Sequence, residues 1–175
     1  MPNWNDENFV KIPQKKNSPD DFQTPDYALN YLAPYLKKEW VIWECAAGKG
    51  NLTNGLKNRG FDVVATDILY DFNFLTQKAE VFDCIVTNPP YSLKQEFIER
   101  CYQLSNHFAL LMPLTALESE KRQKWYREKG IQLIIPNKRI NFETPSGLGK
   151  SAWFPTAWFC YGLDLPKDIV FVTKD

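Results

Sequence analysis

FDCIVTNPPY, residues 82–91, is the stretch that most constrains the architecture. Its first half is a short apolar run that predicts a buried strand, which leads directly into an Asn-Pro-Pro-Tyr motif at residues 88–91. Two consecutive prolines remove backbone donors and fix φ, so the chain leaves the strand in a rigid conformation. The side-chain oxygen of Asn88 and a proline carbonyl then form two converging acceptors, which suit the two hydrogens of an exocyclic amino group. The flat ring of Tyr91 favours a planar, amine-bearing base as the ligand.

Strands and helices alternate on both sides of this stretch. Apolar runs at residues 40–43, 61–65, 108–112 and 131–135 predict further strands, and the segments between several of them predict helices. This alternation favours an α/β domain with a mostly parallel sheet. In such sheets, ligands bind beyond the carboxyl ends of the strands, near the topological switch point. The distinctive segments of this sequence all follow predicted strands, so we expect them to meet at one edge of the sheet.

Local signals predict several element boundaries. Thr24 is a good N-cap and precedes a proline, so we predict that it begins a helix. We likewise expect Ser92 to cap the helix that follows the Asn-Pro-Pro-Tyr motif. The last strand pair is expected to join residues 140–142 and 157–162.

A glycine-containing turn follows the predicted strand at residues 40–43. It reads Glu-Cys-Ala-Ala-Gly-Lys-Gly from Glu44 to Gly50, and its glycines allow the backbone to approach a ligand closely. The dinucleotide fingerprint GxGxxG is incomplete because Thr53 stands at its last position, which argues against a pyrophosphate cofactor. Asp67 follows the next predicted strand, where an acidic side chain can accept from both ribose hydroxyls. Together, these elements predict a nucleoside site.

Composition bounds the class of protein. The chain has 175 residues, of which 44% are hydrophobic and 15% aromatic, so it can form one domain with a substantial core. The balance of 21 Lys and Arg against 21 Asp and Glu excludes a strongly basic nucleic-acid coat and an acidic tail protein. Residues 1–21 are polar and lack periodicity, so we predict an N-terminal arm followed by a single domain over residues 22–175.

The sequence carries no signal for a membrane or for a metal. No apolar run reaches the roughly 18 residues of a membrane helix, and the N-terminus lacks a stretch of signal-peptide type. We therefore expect a soluble, cytoplasmic protein without a membrane partner. The four cysteines form no CxxC pair, which argues against a zinc site or a disulfide framework. We predict structural thiols, mostly buried, and no metal site.

With these features, the chain resembles the class I S-adenosylmethionine (SAM)-dependent aminomethyltransferases that carry an Asn-Pro-Pro-Tyr motif. More narrowly, it resembles the small phage-type N6-adenine DNA methyltransferases, so a phage-encoded origin is one option. The likeness covers residues 20–163. It implies a Rossmann-like α/β fold whose mostly parallel, seven-stranded sheet has one antiparallel strand and helices on both faces. It also implies methyl transfer from SAM to the N6 amine of adenine in DNA.

The resemblance also assigns roles to individual residues. Catalysis is assigned to the motif residues Asn88, Pro89, Pro90 and Tyr91. Cofactor binding is assigned to four places. The methionine carboxylate is held by Phe22, Gln23, Thr24 and Pro25, and the glycine turn contributes Glu44, Ala46, Gly48 and Gly50. The ribose acid is Asp67, and the adenine contact is made by Asn73 and Phe74.

Two cofactor segments depart from the family pattern. The first motif often reads Asp-Pro-Phe-x-Gly-x-Gly, and here Glu, Cys and Ala replace its first three residues. An acid-Phe-Leu triplet often contacts the cofactor adenine, and here Asn73 stands in place of the acid. Its carboxamide oxygen can still accept from the adenine amine. Asp71-Phe72 is a rival alignment for the same segment.

Contacts with the nucleic acid are expected from residues around the pocket mouth. A base inside a duplex must be flipped out and stacked on aromatic rings. The candidate stacking and phosphate-contacting residues are Phe142, Trp153, Phe154, Arg139 and Lys150. Residues 1–88 carry 9 Lys and Arg against 12 Asp and Glu, whereas residues 89–175 carry 12 against 9. A basic and aromatic run at residues 121–127 suits phosphate contact and is equally typical of a solvated helix face.

Several alternatives remain open. The same chemistry serves adenine in RNA, and N4-cytosine methylation is a further option, although Ser-Pro-Pro is commoner than Asn-Pro-Pro in that group. Glutamine N5 methylation of a protein shares the motif and predicts a neutral pocket rim. An inactive SAM-fold scaffold for a partner subunit is another class. Almost no sequence follows residue 163, so we expect no separate target-recognition domain, and specificity would come from the loop at residues 137–156 or from a partner chain.

Overall fold

The computed structural model describes residues 20, 22–144, 147–148 and 154–173. In this part of the chain the α-helices are α1 Leu29–Leu32, α2 Asn51–Asn58, α3 Lys94–Leu104 and α4 Glu120–Lys129. The strands are β1 Val41–Glu44, β2 Asp62–Ala65, β3 Cys84–Thr87, β4 Phe108–Pro113, β5 Gln132–Pro136, β6 Glu143–Thr144, β7 Gly147–Leu148, β8 Thr156–Tyr161 and β9 Ile169–Val172. Short 3₁₀ turns lie at Asp26–Ala28, Ala33–Tyr35, Ile68–Tyr70, Tyr91–Leu93 and Leu114–Leu117.

Seven strands form one sheet in the order β2-β1-β3-β4-β8-β5-β9. All neighbours in this sheet pair in parallel except β8, which is antiparallel to both β4 and β5. Strands β6 and β7 form a separate antiparallel pair. The predicted fold class, a mostly parallel seven-stranded sheet with one antiparallel strand, is confirmed.

The central strands are buried on both faces because helices cover both sides of the sheet. Successive residues of a strand point to opposite faces. Accordingly, Ile42 and Trp43 of β1 are both fully buried but belong to different hydrophobic clusters. Ile42 shares its cluster with Leu29 of α1 and Leu56 of α2, whereas Trp43 shares the other cluster with Phe97 of α3. Burial on both faces explains why these strands read as continuous apolar runs.

The chain changes its direction of travel across the sheet between β1 and β3. Strand β2 pairs with one side of β1, and the next strand in sequence, β3, pairs with the other side. The connections therefore diverge at the carboxyl ends of these two strands, which creates the crevice where open α/β sheets bind ligands. The turn after Glu44 and the motif that begins at Asn88 both start at this crevice.

Three predictions made from apolar or turn signals are wrong. Residues 140–142 form no strand; Ile140 and Phe142 are apolar because they are buried in the core. Ser92 does not cap a helix, because its hydroxyl donates to Asp20 and its backbone lies in a 3₁₀ turn. Thr24 does not cap either: the first turn begins at Asp26, without a side-chain cap.

Strands β6, β7 and β9 were not predicted as strands. Strand β9 pairs with β5 at the edge of the sheet, with Ile134 opposite Val170. Its sequence, Ile-Val-Phe-Val, is a β-branched and aromatic run that favours a strand.

Helix α2 lies close to the first 3₁₀ turn because residue 55 is glycine. A Cβ atom at Gly55 would lie 2.7 Å from Asp26 Oδ1 and 2.7 Å from Leu29 Cδ1. Arg59, one turn later, fixes the same junction. Its Nη1 donates to Asp26 Oδ1 at 2.6 Å and to the Gly55 carbonyl at 2.9 Å.

We predict that Gly55→Ala lowers the free energy of unfolding by about 1–3 kcal/mol, because the added methyl group forces α2 away from its neighbour. Urea unfolding followed by circular dichroism measures the change. Lys57→Ala, at an exposed position of the same helix, is the control and should stay close to wild type. Equal stability of Gly55→Ala and Lys57→Ala would contradict this account of the junction.

Candidate active site at the carboxyl edge of the sheet

The turn after β1 depends on two glycines with left-handed backbone conformations. Gly48 has a φ of 53° and Gly50 a φ of 85°, which other residues rarely adopt. The N–H of Ala47 donates to the Thr66 carbonyl at 3.0 Å, which ties the turn to the end of β2. A Cβ atom at Gly48 would lie 3.1 Å from the side-chain nitrogen of Gln23. Glycine therefore also lets Gln23 lie directly against the turn.

Asp67 holds this turn from the carboxyl end of β2. Its side chain is 6% exposed, and Oδ2 accepts from the Gly48 N–H at 2.7 Å. Oδ1 accepts from the Leu69 N–H at 2.8 Å, which caps the following 3₁₀ turn. Because a carboxylate offers about four lone-pair sites, Asp67 keeps acceptor capacity beyond these two bonds.

Glu44 connects the turn after β1 with the end of β3. Its side chain is 1% exposed, and Oε1 accepts from the Ala46 N–H at 3.1 Å and from the Thr87 hydroxyl. Burial raises the pKa of Glu44 to about 8, and the charge of Asp67 acts in the same direction, against the two hydrogen bonds. The carboxyl group is therefore neutral below about pH 8.

Asn88 follows Thr87 directly, and one backbone contact orients its amide. Nδ2 donates to the carbonyl of Phe22 at 2.8 Å. Oδ1 is buried and finds no hydrogen-bond partner within the described residues. Most buried polar atoms are hydrogen-bonded, so an acceptor of this kind calls for an explanation.

Four rings meet at the tyrosine end of the motif, and we call Phe22, Tyr91, Phe142 and Phe154 the aromatic cluster. Phe22 stacks on Tyr91 with ring centroids 5.7 Å apart and 26° between the planes. Phe142 and Phe154 meet Tyr91 edge-on, at 6.4 and 5.6 Å. The Tyr91 hydroxyl is buried without a partner in the part of the chain that is described, and burial raises its pKa, so the phenol stays neutral.

Residues 22–25, here called the strap, connect the two halves of the site. Phe22 contacts the Asn-Pro-Pro-Tyr motif through its carbonyl and its ring. The next residue, Gln23, faces the glycine turn, because its Oε1 accepts from the Lys49 N–H at 3.3 Å. Just before the strap, the Asp20 carboxylate accepts from the N–H and the hydroxyl of Ser92. The structure thus brings the predicted cofactor and catalytic segments into contact with each other.

The predicted adenine-contacting pair has a structural role in the fold. Phe74 is 2% exposed, and its ring lies 5.2 Å from that of Trp43 and 4.8 Å from that of Phe97. The Asn73 side-chain oxygen accepts from the Leu75 N–H at 3.0 Å, which closes a local turn. A contact between this pair and a cofactor adenine stays a prediction.

The predicted substrate-binding residues are only partly described. Phe142 and Phe154 belong to the aromatic cluster, and Arg139 is exposed in the loop after β5. Trp153 and Lys150 lie outside the described residues, as does the predicted arm except for Asp20.

The basic run at residues 121–127 divides between the core and the surface. Arg122 is 8% exposed, and its Nε donates to the Ala116 carbonyl at 2.7 Å. Trp125 and Tyr126 pack against the hydrophobic core. The exposed cations of this run are Lys121, Lys124 and Arg127.

Sequence reasoning assigned no role to Thr87 or to Lys94. Thr87 is fully buried and donates to Glu44, and Nζ of Lys94 donates to the Tyr91 carbonyl at 3.0 Å. A hydroxyl that ends an apolar strand immediately before the motif was a usable signal for Thr87, because such a group needs a buried partner.

Other kinds of site find no support in the described residues. They contain no group of three or more His, Cys, Asp or Glu that could hold a metal ion. No helix in this part of the chain is long and apolar enough to cross a membrane. All four cysteines are buried, and burial raises the pKa of each thiol.

Solved structures of methyltransferases share this fold. A Listeria monocytogenes protein assigned to the class I S-adenosylmethionine-dependent methyltransferases superposes with a TM-score of 0.59 and 16% identity, over 86% of this chain and 65% of that one. A Plasmodium falciparum dimethyladenosine transferase superposes with a TM-score of 0.54 and 15% identity, over 80% of this chain and 61% of that one. A Vibrio vulnificus protein assigned as a modification subunit of a type I restriction enzyme superposes with a TM-score of 0.55 and 13% identity, over 87% of this chain and 47% of that one.

The chain therefore has the Rossmann-like fold of class I methyltransferases. It spans less than two thirds of the length of each of these three structures. Comparison of the sequence with protein-family models and with curated proteins gives no match, so the likeness is one of fold.

We predict that stability falls as the pH rises from about 5 to 8. In this window the Glu44 carboxyl is protonated in the folded state and ionised in the unfolded state, so the folded state binds one more proton. The contribution of Glu44 to the free energy of unfolding therefore falls by about 1.4 kcal/mol per pH unit and levels off above the folded-state pKa. Glu44→Gln keeps a neutral group of similar shape and should flatten this slope. Urea unfolding of both proteins at several pH values measures it, and parallel slopes would contradict a neutral Glu44.

Proposed function

We propose that this chain binds SAM over the turn after β1 and transfers its methyl group to the N6 amine of adenine in DNA. The observation that carries the proposal is the buried Oδ1 of Asn88, an acceptor without a partner among the described residues. Asn88 lies three positions before Tyr91 in sequence, at the switch point of the sheet, where a fold of this class binds its ligands. An amine carried by a flat base would satisfy the acceptor.

The residues around the glycine turn fit the proposed cofactor. The free lone pairs of Asp67 suit two ribose hydroxyls, and the backbone at Gly48 and Gly50 carries no side chain that would block close approach. Gln23 lies against the same turn, in the segment that we propose to hold the methionine carboxylate. When bound, SAM supplies a methyl group attached to a positively charged sulfur.

The motif residues act by position rather than by covalent chemistry. In the proposed reaction Asn88 Oδ1 and the Pro89 carbonyl accept the two hydrogens of the target amine, whose lone pair is otherwise delocalised into the ring. These bonds favour a pyramidal nitrogen and direct its lone pair at the methyl group, which is catalysis by preorganised dipoles. The single histidine, His107, lies at the other end of the sheet, where its Nδ1 is 3.2 Å from the Asp83 carbonyl.

Adenine in RNA is the second candidate target. One protein of the same fold is named a dimethyladenosine transferase, and this supports an adenosine amine as the acceptor here. A base in a duplex must be flipped into the site at a cost of a few kcal/mol, which stacking on an aromatic ring largely returns. Arg139, exposed at the carboxyl edge, is the proposed phosphate contact among the described residues, and a partner chain is the proposed source of further specificity.

We predict that label from methyl-tritiated SAM enters DNA and is recovered as N6-methyladenine after digestion. The assay offers four substrates separately: double-stranded DNA, single-stranded DNA, total RNA and a protein extract. They are kept apart because more than one of them carries an amine that could accept the methyl group. Label in RNA would support the second candidate. Label in protein, or SAM binding without transfer to any of them, would contradict the proposal.

We predict that Asn88→Ala reduces methyl transfer by on the order of a hundredfold or more, because the amine loses a preorganised acceptor. SAM affinity, measured by calorimetry, should change little, since the proposed cofactor contacts of the strap, the turn after β1 and Asp67 do not include the Asn88 side chain. The contacts of Asp20 with Ser92 and of Gln23 with Lys49 still hold the strap. Asn58→Ala, at an exposed position of α2, is the matched control and should transfer normally. Normal transfer by Asn88→Ala would remove the basis of the mechanism.

A further inference from the structure

The aromatic cluster already holds a ring where a target base would stack. Phe22 lies over Tyr91 with centroids 5.7 Å apart and an angle of 26° between the planes. Carbon atoms in contact are about 3.5–4.0 Å apart, so a base between two rings needs them about 7 Å apart. The two rings are therefore too close together to admit a base between them.

The edges of Tyr91 are covered as well. Phe142 and Phe154 meet it edge-on. Both also lie beside Phe22, with ring centroids 5.8 and 5.9 Å from that of Phe22. Phe142 is 3% exposed and belongs to the hydrophobic core. Phe22 differs from it, because it is only partly buried and lies in the strap, outside any helix or strand. Phe22 is thus the ring that a base stacking on this face of Tyr91 would have to displace.

We infer that the side chain of Phe22 determines specificity by occupying the target pocket and leaving it when a planar base enters. The inference rests on the proposed function, which takes the target to be a base. An incoming base replaces the stacking that Phe22 gives up on Tyr91. A glutamine side chain has no aromatic ring and cannot replace it, so the exchange selects planar aromatic targets.

The backbone of Phe22 does not need to move with its ring. Its carbonyl accepts from Asn88 Nδ2 at 2.8 Å, and rotation about the side-chain bonds leaves this hydrogen bond intact. The adjacent contact of Gln23 with Lys49 holds the strap in place. Exchange of the rings is therefore compatible with an Asn88 amide that stays oriented for catalysis.

The test compares the affinity for adenosine of the wild type with that of Phe22→Ala and Phe22→Leu. Phe22→Ala opens space on the face of Tyr91, and Phe22→Leu fills that space without an aromatic ring. Equilibrium dialysis is carried out with excess S-adenosylhomocysteine, so that only binding outside the proposed cofactor pocket is counted. We expect Phe22→Ala to bind adenosine at least about tenfold more tightly than wild type, with Phe22→Leu between them.

Phe154→Ala is the matched control, because it removes a ring from the edge of Tyr91 rather than from its face. It should gain much less affinity than Phe22→Ala. Equal gains in both variants, or no gain in a Phe22→Ala protein whose thermal unfolding shows that it is folded, would overturn the inference. If Phe22→Ala does not fold, Phe22→Leu decides, and affinity equal to wild type overturns the inference.

The outcome is separable from that of the proposed function. Transfer of label to DNA together with unchanged adenosine affinity in Phe22→Ala would reject the inference alone. Tighter adenosine binding by Phe22→Ala together with transfer of label only to RNA would reject DNA as the substrate and keep the inference.

Discussion

The hydrogen bond from Asn88 Nδ2 to the Phe22 carbonyl is the contact on which the rest of the site depends. A carboxamide has one donating and one accepting end, and a carbonyl can only accept. The Phe22 carbonyl therefore selects the amide orientation in which Oδ1 stays available. Because the two residues are 66 positions apart in sequence, this orientation exists only when the strap lies across the motif. The contact of Asp20 with Ser92 and that of Gln23 with Lys49 hold it there.

A second constraint acts on the other side of Asn88. Thr87, its immediate predecessor, donates to the buried carboxyl of Glu44, which also accepts from Ala46. This group joins the end of β1 to the end of β3, the two strands between which the sheet reverses direction. A charged carboxylate at this depth would be costly, and a neutral one keeps the polar link at lower cost. The glycine turn after β1 and the Asn-Pro-Pro-Tyr motif thus share one buried connection, so a displacement of either segment shifts the other.

Local patterns predicted the architecture well because each central strand is marked by an apolar run of a few residues. The apolar run before Asn88 and the glycines after Glu44 place both segments at the carboxyl edge without any knowledge of the fold. The same kind of pattern misled at residues 140–142, since burial in a core and pairing in a strand both produce apolar runs. The roles of Phe22 and Asp20 were beyond local reasoning, because their contacts join residues far apart in sequence.

Under the proposed function, the aromatic cluster fills the target pocket until a base enters it. An empty pocket would expose the face of Tyr91 to water, and solvent would compete for the Asn88 oxygen and weaken the dipoles that orient an amine. A ring supplied by the chain itself keeps the pocket apolar in the absence of a base. Because one aromatic ring is exchanged for another of similar character, opening the pocket costs less than creating a new cavity would. Most of the remaining free-energy cost of base entry then comes from flipping the base, a step that depends on the nucleic acid rather than on this chain.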